Sequence, residues 1–350
     1  MTISIIIPVY NKTEYLKECL KSALGQTEDD LEVICVDDGS TDGSAEIVER
    51  FAGNDRRIRI IRQPNLGAGA ARNAGIKVAR GEYIAFLDAD DFYPSNDTLA
   101  RIYAAAKANN ADICGGSFCI KDGDKFITRF CGEMSGNTFG KEGFINFRDY
   151  QFDYAYYRFI YRREFLAARS LYFPDYRRYQ DPPFMLRAFD AAGRFYAVPD
   201  VTYCYRLNRC PVDWTTEKVL GLLCGIEDNL IFSAEKGYGR VHGLNYYRLC
   251  NDFCGDIVNT AMRRDGEGKI LKKLIEVQSA VNRDMLRGSG LFTAEECELC
   301  KPLSELLQRL SAQSVKLKSE GWFIDKKPFR AYTWPVRAVG KMLKKLKERR

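Results

Sequence analysis

The stretch that most constrains this chain is an apolar run, Tyr83, Ile84, Ala85, Phe86 and Leu87, that stops abruptly at Asp88, Ala89, Asp90 and Asp91. A short apolar run bounded by a turn reads as a buried strand. In an open parallel sheet, ligands bind just beyond the carboxyl ends of the strands. Three carboxylates within four residues repel one another and raise each other's pKa unless something cationic sits among them. Hard oxygen donors suit Mg²⁺ or Mn²⁺, and Mg²⁺ typically takes one or two carboxylates together with substrate phosphates. The plainer alternative is a solvated acidic turn, with Asp91 or Ser95 capping the next helix.

The flanking sequence repeats the strand-then-turn pattern. Strands are expected over 3–9, 31–36, 58–62, 83–88 and 112–118, and helices over 14–26, 45–51, 67–79 and 97–108. The first helix carries Tyr15, Leu16, Cys19, Leu20, Ala23 and Leu24 at helical spacing, and the third is a run of small residues able to pack closely on a sheet. Pro8 is unsuited to the middle of a sheet, so the first ladder should end there. Strands alternating with helices at this spacing imply βαβ units and a parallel sheet. Successive parallel strands place their carboxyl ends on one edge. Pro8, Val9 and Tyr10, Asp37 and Asp38, and Asp88, Ala89 and Asp90 should therefore converge on one crevice although they are far apart in the chain.

A chain of 350 residues is long enough for two domains. Its net charge of +6 is concentrated: the last fifteen residues hold seven Lys or Arg and one Glu, the whole excess. The remainder is near neutral, which disfavours a nucleic-acid binder with a broad basic face. Twelve cysteines and a first strand starting at residue 3, with no room for a targeting segment, lead to the expectation of reduced thiols in a cytoplasmic setting. The apolar stretch over 219–226 is far too short to span a membrane.

Neither common nucleotide cradle is present. The loop after the first strand, Tyr10, Asn11 and Lys12, contains no glycine, so the dinucleotide fingerprint is missing there. Gly67 and Gly69 lie later and lack the third glycine, and there is no GxxxxGK[ST] loop. Phosphate charge must then be met another way, and a metal held by Asp90 would meet it.

Four motifs together, IIIPVYN over 5–11, VDDGSTD over 36–42, ARNAGI over 71–76 and GEYIAFLDADD over 81–91, resemble a family 2 glycosyltransferase of the inverting, bacterial polysaccharide-biosynthesis type. The resemblance covers roughly residues 1–205. It implies an α/β GT-A fold, a mostly parallel Rossmann-like sheet flanked by helices, with a catalytic domain over 1–208, a helical region over 209–333 and a basic tail over 334–350. It further implies that Pro8, Val9 and Tyr10 shape the pocket for the nucleotide base and that Asp38, with Asp37 beside it, hydrogen-bonds the base edge. Arg72 would face the base or the diphosphate. Asp88 would lie near the ribose and the metal, with Ala89 beside it, Asp90 would ligate the Mn²⁺ or Mg²⁺, and Asp91 would support the loop. The implied donor is a nucleotide sugar, UDP-linked by family habit, and the implied acceptor a glycan or lipid-linked glycan.

Glycosyl transfer also needs a base for the acceptor hydroxyl. In this family the base is the Asp of a Glu-Asp pair, and the matching segment here places it at Asp181, with Gln180 where Glu is usual. Asp181 followed by Pro182 is equally a helix start with Asp at the N-cap. The aromatic and arginine-rich stretch over 154–163 reads either as an acceptor lining or as a packed helix with snorkelling arginines. Arg206 is a second candidate for the diphosphate. His242, the sole histidine, lies far downstream and reads as structural. Two rival functions stay open: a non-catalytic nucleotide-sugar binder, suggested by Gln180, and a metal-dependent nucleotidyltransferase, which would usually carry a glycine-rich basic loop near its first strand.

From about 215 onward the apolar spacing is helical. Cys250 and Cys254, and Cys297 and Cys300, invite zinc, but the spacings do not form a matched pair. After Trp334 and Pro335, the apolar Val336, Val339, Leu343 and Leu346 recur every three or four residues among basic ones. A basic amphipathic helix of this kind suits an anionic membrane surface and peripheral attachment to the inner membrane face. A solvated, frayed terminal helix is the alternative.

Overall fold

The strand β1 (Ile3–Val9) is buried at every position but the half-buried Pro8 and has a neighbour on each side, β2 (Leu31–Asp37) and β4 (Tyr83–Phe86), both parallel to it. β3 (Ile58–Arg62) adds to β2, again parallel. The connections carry α1 (Leu16–Leu24), α2 (Ser44–Ala52) and α3 (Ala68–Val78), and α4 (Thr98–Ala108) follows β4. This computed structural model describes residues 1–130, 132–207, 212–289, 292 and 297–319. The chain divides into two compact units, Met1–Pro211 and Val212–Arg350.

Beyond β4 the sheet is mixed rather than a continued parallel run. β5 (Ile113–Asp122) is the next strand in the chain, with β6 (Lys125–Ile127) paired to it as a hairpin, but β5 does not join β4. β7 (Gly143–Asn146) and the short α5 (Phe147–Tyr150) follow, and then β8 (Phe159–Arg162) inserts between β4 and β5, antiparallel to both. After α6 (Arg163–Ala168) and α7 (Asp181–Ala192), β9 (Arg194–Arg206) runs parallel to β5 and antiparallel to β7. The expected α/β class with helices flanking a central sheet holds. The parallel βαβ run expected from the first strands holds through β4, and the antiparallel return of β8 beside it is decided some seventy residues later and leaves no local pattern.

Pro8 does not end its strand. β1 continues through Pro8 to Val9, paired with Val36 and Asp37 of β2, whereas its pairing with β4 stops at Ile6 and Phe86. Alternate residues of a parallel strand address alternate neighbours: Ile6 O accepts from Leu87 N, and Val9 O accepts from Asp38 N. Pro8 therefore faces the side that β4 has already left, where a missing N–H costs no ladder bond. For the same reason the strand expected over 83–88 ends at Phe86, and Asp88 lies in the loop beyond it.

Two close approaches fix the sheet. A Cβ on Gly75 of α3 would lie 2.5 Å from Ile6 Cγ2, so only glycine lets α3 sit this close to β1. At the edge of the sheet away from the acidic loop, Ser4 Oγ donates to Glu32 Oε1 (2.6 Å) and accepts from Gly81 N (2.8 Å), and Arg59 pairs with Glu32 Oε2 (2.9 Å). These buried bonds lock β1, β2, β3 and the turn before β4 in one register.

The stretch over 154–163 is neither a helix nor an open lining. Tyr156–Arg158 is a single 3₁₀ turn leading into β8, and Tyr156, Tyr157 and Arg158 are buried. Arg158 does not snorkel; its guanidinium donates to the carbonyls of Gly116 (2.9 Å) and Gly136 (2.7 Å). Phe173 and Phe184 stack with centroids 4.0 Å apart, and both meet Phe86 edge-on. This cluster seats the start of α7 beside β4 and so brings residue 181 toward the acidic loop.

The second unit is helical, with α8 (Thr216–Lys236), α9 (Gly239–Tyr247), α10 (Cys254–Arg264), α11 (Lys269–Ala280), α12 (Arg283–Ser289) and α13 (Lys301–Ser319). His242 is buried within it; its Nε2 accepts from Asn282 N (3.0 Å), its Nδ1 faces Leu230 O (3.2 Å), and burial pushes its pKa down to about 4. Cys250, Cys254, Cys297 and Cys300 are buried thiols. Among the described residues no helix is long and apolar enough to cross a membrane. The basic tail over 334–350 lies outside the described residues.

Candidate active site

The acidic loop is folded around one phenol from β9. Tyr203 Oη accepts from Asp88 N (3.1 Å) and donates to Asp91 Oδ2 (2.7 Å). Arg206 N donates to the other Asp91 oxygen (2.7 Å), and its guanidinium donates to Asp90 O (3.0 Å) and Glu18 Oε2 (2.6 Å). Asp91 is 1% exposed. Burial, reinforced by the Asp90 and Asp88 charges, pushes its carboxyl well above the usual carboxylate range, and the bonds from Arg206 and Tyr203 oppose that push. Asp91 thus anchors the loop, while Arg206, a candidate for the diphosphate, is committed to the loop backbone and to Glu18.

Asp88 and Asp90 each meet one cation. Asp88 Oδ1 pairs with Arg72 NH2 at 2.7 Å, with Tyr156 Oη 3.4 Å away. Arg72 is 5% exposed and lies between two rings, its Cζ 5.1 Å from the Tyr156 centroid and 5.2 Å from that of Phe173. Its Nε and NH1 are buried without a hydrogen-bond partner. Asp90 Oδ2 pairs with Lys12 Nζ at 2.5 Å. Among the described residues, Asp88 Oδ2 and Asp90 Oδ1 receive no hydrogen bond. Two neighbouring carboxylates, each with a spare oxygen, fit a hard divalent cation that completes its shell with substrate phosphate and water. The described residues contain no group of three His, Cys, Asp or Glu side chains that would hold an ion alone.

Asp37 and Asp38 stand at the end of β2, largely buried. Asp37 Oδ1 accepts from Ser40 N (3.1 Å). The Asp38 carboxylate accepts from Gln63 Nε2 (2.7 Å), Leu66 N (2.9 Å) and Gly67 N (2.8 Å). Three of its roughly four acceptor sites are therefore occupied, and its first task is to shape the loop between β3 and α3. Val9 and Ala89 are buried, Pro8 is half-buried, and Tyr10 is 45% exposed just beyond the end of β1. Asn11 Oδ1 accepts from Thr41 N (2.8 Å), which ties the loop after β1 to the loop after β2.

Asp181 is the first residue of α7, and the N-cap position belongs to Gln180, without a side-chain cap bond. The expectation that Asp181 caps the helix is thus corrected by one residue: Asp181 opens the helix, and its carboxylate accepts from its own backbone N–H there. Asp181 is half-buried, and desolvation raises its pKa; Arg72 and Arg178 act against the rise and Asp88 adds to it. The carboxylate therefore lies in the same electrostatic field as Asp88, with Arg72 common to both. Gln180 packs on α3, its Cγ 3.0 Å from where a Cβ on Gly69 would stand. Arg177 NH1 donates to Asn65 Oδ1 (3.0 Å), which fastens the preceding segment to the loop before α3.

Sequence reasoning had no role for Lys12, Tyr156 as a partner of Asp88, or Tyr203. Only Lys12 left a readable signal, as the basic residue in a first-strand loop that lacks glycine.

Residues 4–169 match the model of the family described as Glycosyl transferase family 2. The chain is 39% identical over 212 residues to the "Uncharacterized glycosyltransferase EpsJ" of Bacillus subtilis, covering 59% of this chain and 61% of that one. It is 33% identical over 217 residues to "Glycosyltransferase GlyG" of Streptococcus pneumoniae, covering 58% and 70%. Among solved structures, residues 1–349 of S. aureus TarS in complex with UDP-GlcNAc superpose with a TM-score of 0.67 at 20% identity, covering 91% of this chain and 92% of that one.

Proposed function

Since the chain belongs to glycosyltransferase family 2, we propose that it transfers a sugar from a nucleoside diphosphate donor to a glycan or lipid-linked glycan acceptor in cell-surface polysaccharide synthesis. The observation that carries this reading is the meeting of Asp88 and Asp181 around Arg72, from elements more than ninety residues apart, with Asp90 in the same loop as Asp88. A uridine donor is supported by the UDP-GlcNAc bound to TarS. Catalysis is assigned to the part of the chain over 1–208.

In this reading the reaction is one in-line displacement with inversion at the anomeric carbon. The acceptor hydroxyl loses its proton to the Asp181 carboxylate as it attacks. Arg72 lowers the cost of ionising Asp181 and holds Asp88 in place. Asp90, with Asp88, would hold a divalent cation, which when bound offsets the negative charge that develops on the leaving diphosphate. Tyr203 and Arg206 keep the loop rigid by gripping Asp91 and the Asp90 carbonyl. The exposed Tyr10 offers a ring to the base.

The test is thermal-shift and calorimetric binding of UDP, GDP, CMP and TDP with and without Mn²⁺, followed by hydrolysis of the matching nucleotide sugar. Metal-dependent stabilisation by one nucleotide, lost in Asp90→Asn, and donor turnover lost in Asp181→Asn are expected. A folded chain that binds none of the four abandons the reading, and binding without turnover replaces it with a non-catalytic donor binder. For the tail over 334–350 we adopt the peripheral-membrane reading; equal flotation with anionic liposomes after its deletion would refute it.

A further inference from the structure

The cations on Asp88 and Asp90 differ in how they are held. Arg72 is buried against two aromatic rings, its guanidinium 5.1 Å from the Tyr156 centroid and 5.2 Å from that of Phe173. Lys12 is different. Its main chain is fixed, with N–H donating to Ser44 Oγ (2.8 Å) and carbonyl accepting from Tyr15 N (3.1 Å) and Leu16 N (3.0 Å). Its side chain is 31% exposed, that of Asp90 is 21% exposed, and the ion pair with Asp90 is the only one it makes among the described residues. A partly solvated Lys–Asp pair is weak, and four rotatable bonds let the ammonium swing away from a fixed backbone.

Charge balance then orders the binding events. Asp88 with Arg72 and Asp90 with Lys12 are two neutral pairs. A divalent cation entering alone on the spare oxygens meets the Lys12 ammonium on the same Asp90 carboxylate and adds two positive charges beside pairs that are already neutral. The same cation arriving with a nucleoside diphosphate brings its own counter-charge, and the released ammonium, tethered beside Asp90, gains phosphate as a new partner.

We propose that Lys12 is a resident competitor for the metal position at Asp90, which keeps the site closed to free divalent cations and couples metal binding to the arrival of the donor diphosphate. The proposal rests on the metal-assisted reading given above and adds to it a residue that sets when the metal binds.

The experiment is titration of the full-length chain with Mn²⁺, followed by the electron paramagnetic resonance signal of free Mn²⁺, with and without UDP. It compares wild type, Lys12→Gln and Asp90→Asn, each shown to be folded by circular dichroism. Wild type should bind Mn²⁺ weakly alone and much more tightly with UDP. Lys12→Gln should bind Mn²⁺ alone roughly tenfold more tightly than wild type and lose most of the UDP enhancement. Lys12→Gln binding Mn²⁺ alone no better than wild type, while Asp90→Asn abolishes UDP-supported binding, overturns the role of Lys12 and leaves the metal reading intact. UDP-supported Mn²⁺ binding that is absent, or unchanged in Asp90→Asn, overturns both.

Discussion

Asn73 holds Phe173 as a neighbouring strand would: its Nδ2 donates to Phe173 O at 2.8 Å, and its Oδ1 accepts from Phe173 N at 2.9 Å. One side chain on α3 thereby satisfies both backbone groups of a residue one hundred positions away. Phe173 in turn stacks on Phe184, so the amide fixes the segment that leads into α7 and Asp181.

Asn73→Asp keeps the shape but replaces the donor with an oxygen facing the Phe173 carbonyl. It should cost about 1–3 kcal/mol in stability by urea denaturation. It should also lower kcat more than it raises KM for the donor, because Asp181 is displaced while the nucleotide pocket is not. An unchanged kcat in a measurably destabilised variant would separate Asn73 from the placement of the base.

Asp181→Asn should abolish transfer, retain nucleotide binding, and stabilise the fold at neutral pH. The sign follows from the raised pKa of Asp181. A carboxyl whose folded pKa lies above its unfolded value gives its full support to folding only below the unfolded value, and that support is lost as pH rises through the folded value. Removing the charge should therefore raise Tm at pH 7–8 and leave it nearly unchanged in acid. The wild-type rate should fall as pH drops through the raised value, since the base must be ionised. A Tm difference between the two proteins that does not vary with pH contradicts the assignment.

Tyr203→Phe removes only the hydroxyl that joins Asp88 N to Asp91. A buried carboxyl is left one partner short, at a cost of about 1–3 kcal/mol. With the loop loosened, nucleotide affinity in the presence of Mn²⁺ should weaken although no ligand-facing group has changed. Calorimetry with UDP checks this, and unaltered affinity would show that Arg206 suffices to hold the loop.

Gly75→Ala tests the closeness of α3 to β1. Its methyl would stand 2.5 Å from Ile6 Cγ2 and must push the helix away, at about 1–3 kcal/mol. Ile6→Ala in the same molecule empties the contested space. The double variant should be more stable than the two separate losses add up to, and strict additivity would mean the helix has relaxed elsewhere.

The first half of the sheet and the acidic loop were readable because their signals are local: an apolar run, a turn, a carboxylate cluster. The order of the strands past β4 was not. Whether β5 or β8 sits beside Tyr83, Ile84 and Ala85 depends on a return of the chain that no window of residues encloses. Pro8 was misread for a related reason, since its effect depends on which neighbour persists at that register. In the site, Asp88, Asp90 and Asp181 stood out in motifs. Lys12, Tyr156 and Tyr203 act through single side chains whose partners lie 78, 68 and 112 residues away. Spacing rules are blind at that range.

The position of β1 has a consequence for how the chain is made. Both of its partners follow it in the sequence, and β4 follows by some eighty residues. A ribosome adds roughly 5–20 residues per second. On the order of ten seconds therefore pass in which Ile3, Ile5, Ile6 and Ile7 have been synthesised but cannot be enclosed. A short, uncharged, β-branched segment is the kind that pairs with copies of itself. Chaperone demand during translation should thus fall on this segment, and pulse-labelled nascent chains truncated before residue 83 should aggregate more than those extended past β4.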